Sequence, residues 1–479
     1  MSQKPESPTQ TRAIDPKDRV PLGEKIAYGA GGASGALHTY ADSGLLNPVF
    51  VVTCGISPAM MSLAALIYRL WDAVTDALMG WITDNTRTRW GRRKPYIVVG
   101  AFAMALSMPV IFFFDRSWSV SSITAWMIAT SLLMFLFSTV WNIPYQCMLL
   151  EITPDSTERT NVAAWRAYFG KITTLVMAWV WYLTQLPVFN DAAGKPDILL
   201  GARWVICVIA VGVIFLGLLP LFAQQRTHHA RKSGLKLSLM ENLRLTLTNR
   251  PFVILVLFSL LFTLGSQIKG GIDFYTRLYY VCGGDQKLAS TISGFAGTII
   301  TFSGLAGIPV FQWVARKKGK IFALFLIMGI VFCASISTVF LYTPAMPYLS
   351  MLPGILIAPA NTALWVLIPS MLGDVVDQDE VFTNERREGS FTSVYSWTYK
   401  LSLSSAAALS GPIVVLAGFD SSIGTHQPEN VLFNMRVLLV VVPAIFIGIS
   451  IWLLSRYPLT TKRIEEIRVK LQSRSASAF

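Results

Sequence analysis

Apolar stretches of about 18–25 residues, each long enough to cross a bilayer, recur along this chain. They fall at approximately 27–54, 58–82, 95–115, 121–150, 164–187 and 202–224, then 251–281, 286–314, 320–342, 346–373, 390–417 and 432–455. Lipid offers no hydrogen bonds to a backbone, so runs of this length must satisfy their own N–H and C=O groups as helices. Of the 479 residues, 53% are hydrophobic and 14% charged, where a soluble protein carries about 25% charged. The expectation is an all-α integral membrane protein with twelve transmembrane helices.

The net charge of +13 raises the question of a nucleic-acid partner, and the placement of the charges argues against one. Basic residues gather in short connectors and tails: Arg87, Arg89, Arg92, Arg93 and Lys94; Arg226, Arg231 and Lys232; Arg316, Lys317, Lys318 and Lys320; Arg456, Lys462, Arg463, Arg468 and Lys470. The alternate connectors are nearly uncharged or mixed. This is the positive-inside pattern. It puts both termini and the middle loop in the cytoplasm and fits a bacterial inner (plasma) membrane. The polar first twenty residues show no signal peptide. Cys54, Cys147, Cys207, Cys282 and Cys333 have no pairing or metal-ligand spacing. HExxH, GxSxG, P-loop and dinucleotide fingerprints are absent, so an enzyme is not expected and no cofactor is implied.

The polar connector 225–250 divides the chain into six-helix halves, 25–224 and 251–456, with cytoplasmic tails at 1–24 and 457–479. The halves echo one another. A basic loop around Gly91 returns around Gly319, and the acidic-basic loop from Glu151 returns from Asp374. Both steps are about 220–230 residues, the fixed offset of an internal duplication. Such a duplicated unit is the organisation of major facilitator transporters, whose site lies at the midplane between the halves.

Within the second run, Asp72 and Asp76 stand four residues apart and so share one helix face. A carboxylate at the bilayer centre costs about 2.5–3.5 kcal/mol on insertion scales. Two that converge repel each other unless one is protonated or a cation lies between them. The pair describes a site for Na⁺, Li⁺ or H⁺. A competing reading is structural: Arg69, three residues earlier, pairs with one of the aspartates. In the first run, Gly29, Gly31, Gly32 and Gly35 indicate either close helix packing or a bend facing substrate, with His38, Tyr40 and Asp42 following.

The string RLWDAVTDALMGW from Arg69 to Trp81, followed by RWGRRKP from Arg89 to Pro95, resembles the glycoside–pentoside–hexuronide:cation symporters, of which the melibiose permease branch is best known. Further matches are Lys25–Gly29, Asn142–Tyr145, Glu158–Thr160 with Arg166, Trp365 and Lys400. The resemblance implies that Asp72 and Asp76 bind the coupling cation. It matches the threonine completing that site to Thr139 and the aspartate to Asn142, whose amide still offers an oxygen to the cation, which leaves Na⁺ and H⁺ both open. On the sugar side Ala36 stands where that branch has an aspartate and Gln146 where it has a tryptophan, so melibiose itself is not expected. Asn142, Gln146, Arg166, Trp365 and Lys400 are the implied substrate contacts.

Lys269, Asp273 and Arg277 recur every four residues. They form either a self-neutralising ladder or, through Lys269 with Arg166 and Lys400, a positive cavity for an acidic sugar. Mixed-sign groups on the cytoplasmic loops, Arg159 and Arg386 among them, are candidates for ion pairs between the halves. The sequence therefore reads as a cation-coupled symporter of a sugar, glycoside or uronide working by alternating access. A uniporter or a lipid-type transporter on the same fold is the alternative.

Overall fold

The computed structural model describes residues 19–153, 155–224, 246–383 and 387–477, without the side chains of 40–43, 150, 156–157, 468, 472 and 474–477. The basic group Arg226, Arg231 and Lys232, Arg386, and the side chains of Tyr40, Asp42 and Arg468 lie outside the described set. Among the described residues the regular structure is helical, with one isolated bridge, Asn190 to Pro196. Helix α1 (Leu22–Leu46) continues into a π-helical turn (Asn47–Thr53), starting some residues before the apolar run that announces it. It is followed by α2 (Pro58–Asn85), α3 (Lys94–Val110), α4 (Val120–Ile152), α5 (Ser156–Met177), the short α6 (Val180–Leu183) and α7 (Ile198–Leu218). After the central connector come α8 (Arg250–Tyr275) with a π-helical turn (Thr276–Val281), α9 (Gln286–Lys318), α10 (Lys320–Leu341), α11 (Leu352–Thr383), α12 (Glu388–Leu416), α13 (Glu429–Ser455) and α14 (Thr461–Ser477).

Starts are set by local chemistry. Ser57, Ser119, Asp155, Asp197, Asn249 and Asp285 each accept a backbone N–H from the first turn of the helix that follows, satisfying donors that would otherwise lack partners. Among the described residues, eight helices are long and apolar enough to cross a membrane. The remaining long helices fall short for visible reasons. Helix α3 has 17 residues, α2 carries Arg69, Asp72 and Asp76, α5 carries Arg166 and Lys171, and α1 is built largely from glycine, alanine and serine.

Helix α1 packs on α5 and α7, α2 on α4, and α3 on α4 and α7. Later in the chain α8 packs on α12 and α13, α9 and α10 on α11, and α10 on α13. The glycines of α1 are close-packing positions: a Cβ at Gly31 would stand 2.5 Å from the Tyr145 ring, and one at Gly32 2.7 Å from Arg166. Helix α14 lays Ile464, Ile467 and Leu471 into the apolar cluster that includes α11, so residues expected as a plain tail form a docked helix.

Contacts joining the early helices to the late ones gather at the end where α1 finishes and α2 begins. Ser62 Oγ accepts from the Gly411 amide at 2.8 Å and lies 3.4 Å from Ser410 Oγ. Trp179 donates to Thr298 at 3.0 Å, with its ring against Phe295. The Ser421 hydroxyl donates to the Gly55 carbonyl at 2.8 Å, and the Tyr275 hydroxyl lies 3.3 Å from Asn47 Oδ1. This end is sealed. At the opposite end the loop charges pair within each group of helices: Arg93 with Asp84 and Glu151, Arg92 with Glu151, Lys320 with Asp374, and Arg387 with Asp379.

Gly411 holds the seal closed because a Cβ there would stand 1.9 Å from the Pro58 carbonyl oxygen. Gly411→Val is expected to part α2 and α12 at this end, costing the sealed form about 1–3 kcal/mol as overpacking does. Spin-label distances between the sealed ends of α2 and α12 in purified protein should lengthen. An unchanged distance distribution would contradict this account of the seal.

Candidate functional site

Helix α2 carries the site because two of its features bind it to α4. Trp71 Nε1 donates to the Leu132 carbonyl at 3.0 Å, and Thr75 Oγ1 lies 3.2 Å from Thr139 Oγ1. This fixes the rotation of α2 so that Asp72 and Asp76 turn toward the same point on α4. There Thr139 Oγ1 stands 3.4 Å from Asp72 Oδ1 and 3.3 Å from Asp76 Oδ1. One hydroxyl thus meets both carboxylates. Thr75, buried between the aspartates in sequence, belongs to the same cluster and was not singled out from the sequence. Its position three residues after Asp72 was the available signal.

The third charge comes from the other side of the molecule. Lys400 on α12 donates to Asp76 Oδ2 at 3.1 Å, with its side chain 62% exposed and that of Asp76 20% exposed. Lys400, expected to contact substrate, is therefore in the carboxylate cluster, and the ion pair that the competing reading gave to Arg69 is made by Lys400. Arg69 lines a neighbouring cavity with Tyr68, Phe135, Gly271, Tyr275 and Ser410. Two carboxylates and one ammonium leave a single negative charge, which one monovalent cation or one proton would neutralise.

Asn142, Gln146 and Arg166 come together elsewhere, in a cavity of about 350 Å³ between α1, α4 and α5. Gly31, Gly32 and Gly35 form its α1 wall, and Trp141 and Tyr145 its aromatic side. Gln146 donates to Asn142 Oδ1 at 3.1 Å, so the one amide whose oxygen was expected at the cation is bonded within this cavity. The Arg166 guanidinium lies 5.3 Å from the centroid of the Tyr145 ring, a cation–π arrangement. Three elements with glycine or a stacked aromatic at their contacts thus leave a polar space one turn along α4 from Thr139.

Trp365 lines a separate cavity between α8, α11 and α12. Lys269 joins none of these groups. It lies on the face of α8 that carries Asp273 and Arg277, while Gln267, Gly271 and Tyr275 line cavities. The ladder forms only between its second and third members: Arg277 donates to Asp273 at 2.8 Å, and both meet the Tyr342 hydroxyl. The Lys269 ammonium is buried without a hydrogen-bond partner. Among the described residues no group of three or more histidine, cysteine or carboxylate side chains gathers as a metal site.

A family model described as "MFS/sugar transport protein" matches residues 26–461. The inner membrane symporter YicJ of Escherichia coli is 26% identical over 462 residues, covering 94% of each chain. The isoprimeverose transporter of Lactiplantibacillus pentosus is 24% identical, covering 92% of this chain and 90% of its own. The sodium-dependent lysophosphatidylcholine symporter 1-A of Danio rerio is 22% identical, covering 95% and 89%. Among solved structures, a bacterial homologue of the human lysosomal transporter Spinster in an inward-facing, unoccupied conformation superposes with a TM-score of 0.64 at 12% identity, over 94% of this chain and 100% of its own. That likeness is one of fold. Fold and family are those of an integral membrane transporter rather than an enzyme.

If Lys400 is chiefly the counter-charge of Asp76, removing either partner alone should destabilise the protein and removing both should restore part of the loss. The exposure of Lys400 keeps the coupling small, about 1 kcal/mol. A double-mutant cycle of Asp76→Asn and Lys400→Ala, read by thermal unfolding, checks this; strictly additive losses would show the pair to be incidental.

Proposed function

The chain belongs to the MFS/sugar transport protein family, and on that premise we propose that it is a cation-coupled symporter of a sugar, glycoside or uronide. The observation that carries this reading is the single hydroxyl of Thr139 within 3.4 Å of both α2 carboxylates. Hard cations favour such a convergence of oxygens. In the reading, Na⁺ or H⁺ binds at Asp72, Asp76 and Thr139 and supplies the missing positive charge. The Thr75 hydroxyl holds Thr139 in place. Substrate binds beside it, against Asn142, Gln146 and Arg166. Arg166 favours a carboxylate or a cluster of hydroxyls there.

Twelve helices in two six-helix halves, 25–224 and 251–456, give the architecture that such a mechanism needs, and the packing of α2 on α12 marks where the halves meet. With both termini in the cytoplasm of a bacterial inner membrane, the sealed end faces outward and the conformer is open inward. Cation binding competes with Lys400 for Asp76. The ammonium that links the halves is then released as the cation arrives, so cation occupancy and the approach of the halves are coupled. That coupling is reciprocal: a cation that tightens sugar binding is tightened by sugar to the same factor. Lys269 stands apart from this route, on the face of α8 where Arg277 already pairs with Asp273.

A bound ligand at about 100 times its dissociation constant raises stability by about 2.7 kcal/mol. Thermal unfolding of the purified protein against neutral glycosides, pentosides and uronides, with Na⁺ or with choline, is the test. A sugar-dependent shift that grows with Na⁺ and loses that dependence in Asp72→Asn and Asp76→Asn is expected. A shift indifferent to Na⁺ but dependent on pH assigns the coupling to protons, and one indifferent to both makes the protein a uniporter. Response to lysophospholipid alone would replace the sugar reading with the lipid-type one.

A further inference from the structure

The side-chain nitrogen of Lys269 is buried among the later helices and has no hydrogen-bond partner. A lone ammonium taken out of water is so costly that the group sheds its proton instead. To stay charged it would need a carboxylate, and the one beside it is taken. Asp273, one turn along α8, accepts from Arg277 at 2.8 Å and from the Tyr342 hydroxyl.

The helices packed on α8 are α12, α13 and α11, and they bring no replacement. From Val437 to Ser455 α13 has no ionisable side chain, and from Leu352 to Gly373 α11 has none either. Arg436, nearer the start of α13, is a further cation and lies over the Tyr280 ring. On α12, Lys400 is engaged with Asp76, and Tyr395 and Tyr399 line the cavity with Trp365. The π-helical turn that extends α8 adds Arg277, Tyr279 and Tyr280. With the seal closed, these surroundings suit an uncharged amine.

Lys269 also stands where α8 bends most readily. The next two residues are Gly270 and Gly271. Each glycine inside a helix costs about 1 kcal/mol relative to alanine, and glycine is a common place for a kink. Gly271 belongs to the contact with α12: a Cβ there would stand 2.6 Å from Ser410 Cβ. Ser410 in turn meets Ser62 in the seal, and Tyr275, one turn beyond Gly271, reaches Asn47 across it. The part of α8 beyond the two glycines is thus tied to the seal, and Lys269 is the last residue before them.

We propose that Lys269 is a proton-binding site of the transport cycle, separate from the carboxylate cluster: uncharged while the seal is closed and protonated once it parts. The amine takes its proton from water admitted as α8 bends at Gly270 and Gly271. It becomes an ammonium able to pair with Asp273, and it returns the proton to water as the helices close. This rests on the alternating-access reading above. It adds that protons bias the two forms through a lysine even where Na⁺ is the coupling cation. The parted form binds one proton more, so acid favours parting. The ratio of parted to sealed molecules then rises toward about tenfold per unit fall in pH, the limit for one proton.

Spin-label distances between the sealed ends of α2 and α12 in the purified full chain, recorded without Na⁺ from about pH 6 to about pH 9, read that ratio. Wild type is expected to show the rise in acid, and Asp76→Asn to keep it. Lys269→Met, which removes the titratable group and leaves no charge unmatched, should flatten it and stay sealed. Lys269→Gln repeats that comparison with a polar head. Lys269→Arg, charged throughout this range, should raise the parted fraction at every pH. Thermal unfolding of Lys269→Met close to wild type shows that the variant is folded. A pH dependence that survives Lys269→Met and Lys269→Gln overturns the inference, and its loss in Asp76→Asn would place the proton at the carboxylates. A parted fraction that is present in wild type but indifferent to pH also overturns it, with alternating access intact. Ends that never part, in wild type or in Lys269→Arg, overturn both.

Discussion

A pair of carboxylates inside a membrane protein must find positive charge, and here half of it is drawn from across the molecule. Asp72 and Asp76 share the hydroxyl of Thr139, while among the described residues the ammonium in contact, that of Lys400, arrives from α12. The orientation of α2 against α4, fixed by Trp71 and Thr75, serves this arrangement. So does the approach of α12 to α2, which the small residues Ser62, Ser410 and Gly411 permit. The pairing with Lys400 leaves one negative charge on the cluster, and in the proposed function that charge falls to a transported cation.

The apolar runs announced the late helices well, because each of α8 to α13 holds a stretch long and apolar enough to cross a membrane. The early helices were harder to delimit. Helix α1 begins before its apolar run, and α5 stops at Met177 and gives way to a short helix where a longer span was expected. Both line polar space, and a helix that faces polar space need not be apolar all round. The docked helix α14 was hidden for a related reason: only Ile464, Ile467 and Leu471 are apolar on its buried face, too few to stand out in a basic tail.

The site divides in the same way. Asp72 and Asp76 were legible because i,i+4 spacing is a property of one helix. Thr139 came from the family resemblance, and the structure brings it to the aspartates. Which helix supplies the counter-charge is a matter of tertiary packing: Arg69, the nearest cation in sequence, was only a competing candidate, and the ion pair is made by Lys400. Asn142 and Lys269 show the same limit. A helical position fixes a face, but what that face meets depends on rotation: Asn142 turns to Gln146 and Arg166, and Lys269 turns with Asp273 away from the cavities.

The seal between the two groups of helices is made by serine, threonine, tryptophan, amide side chains and glycine backbone. None of these contacts carries a formal charge. Parting them moves no side-chain charge through the electric field across the membrane, whereas shifting Lys400 relative to Asp76 does. In its own contacts the closure where α1 ends and α2 begins is therefore an electrically silent latch, while the ion cluster is not.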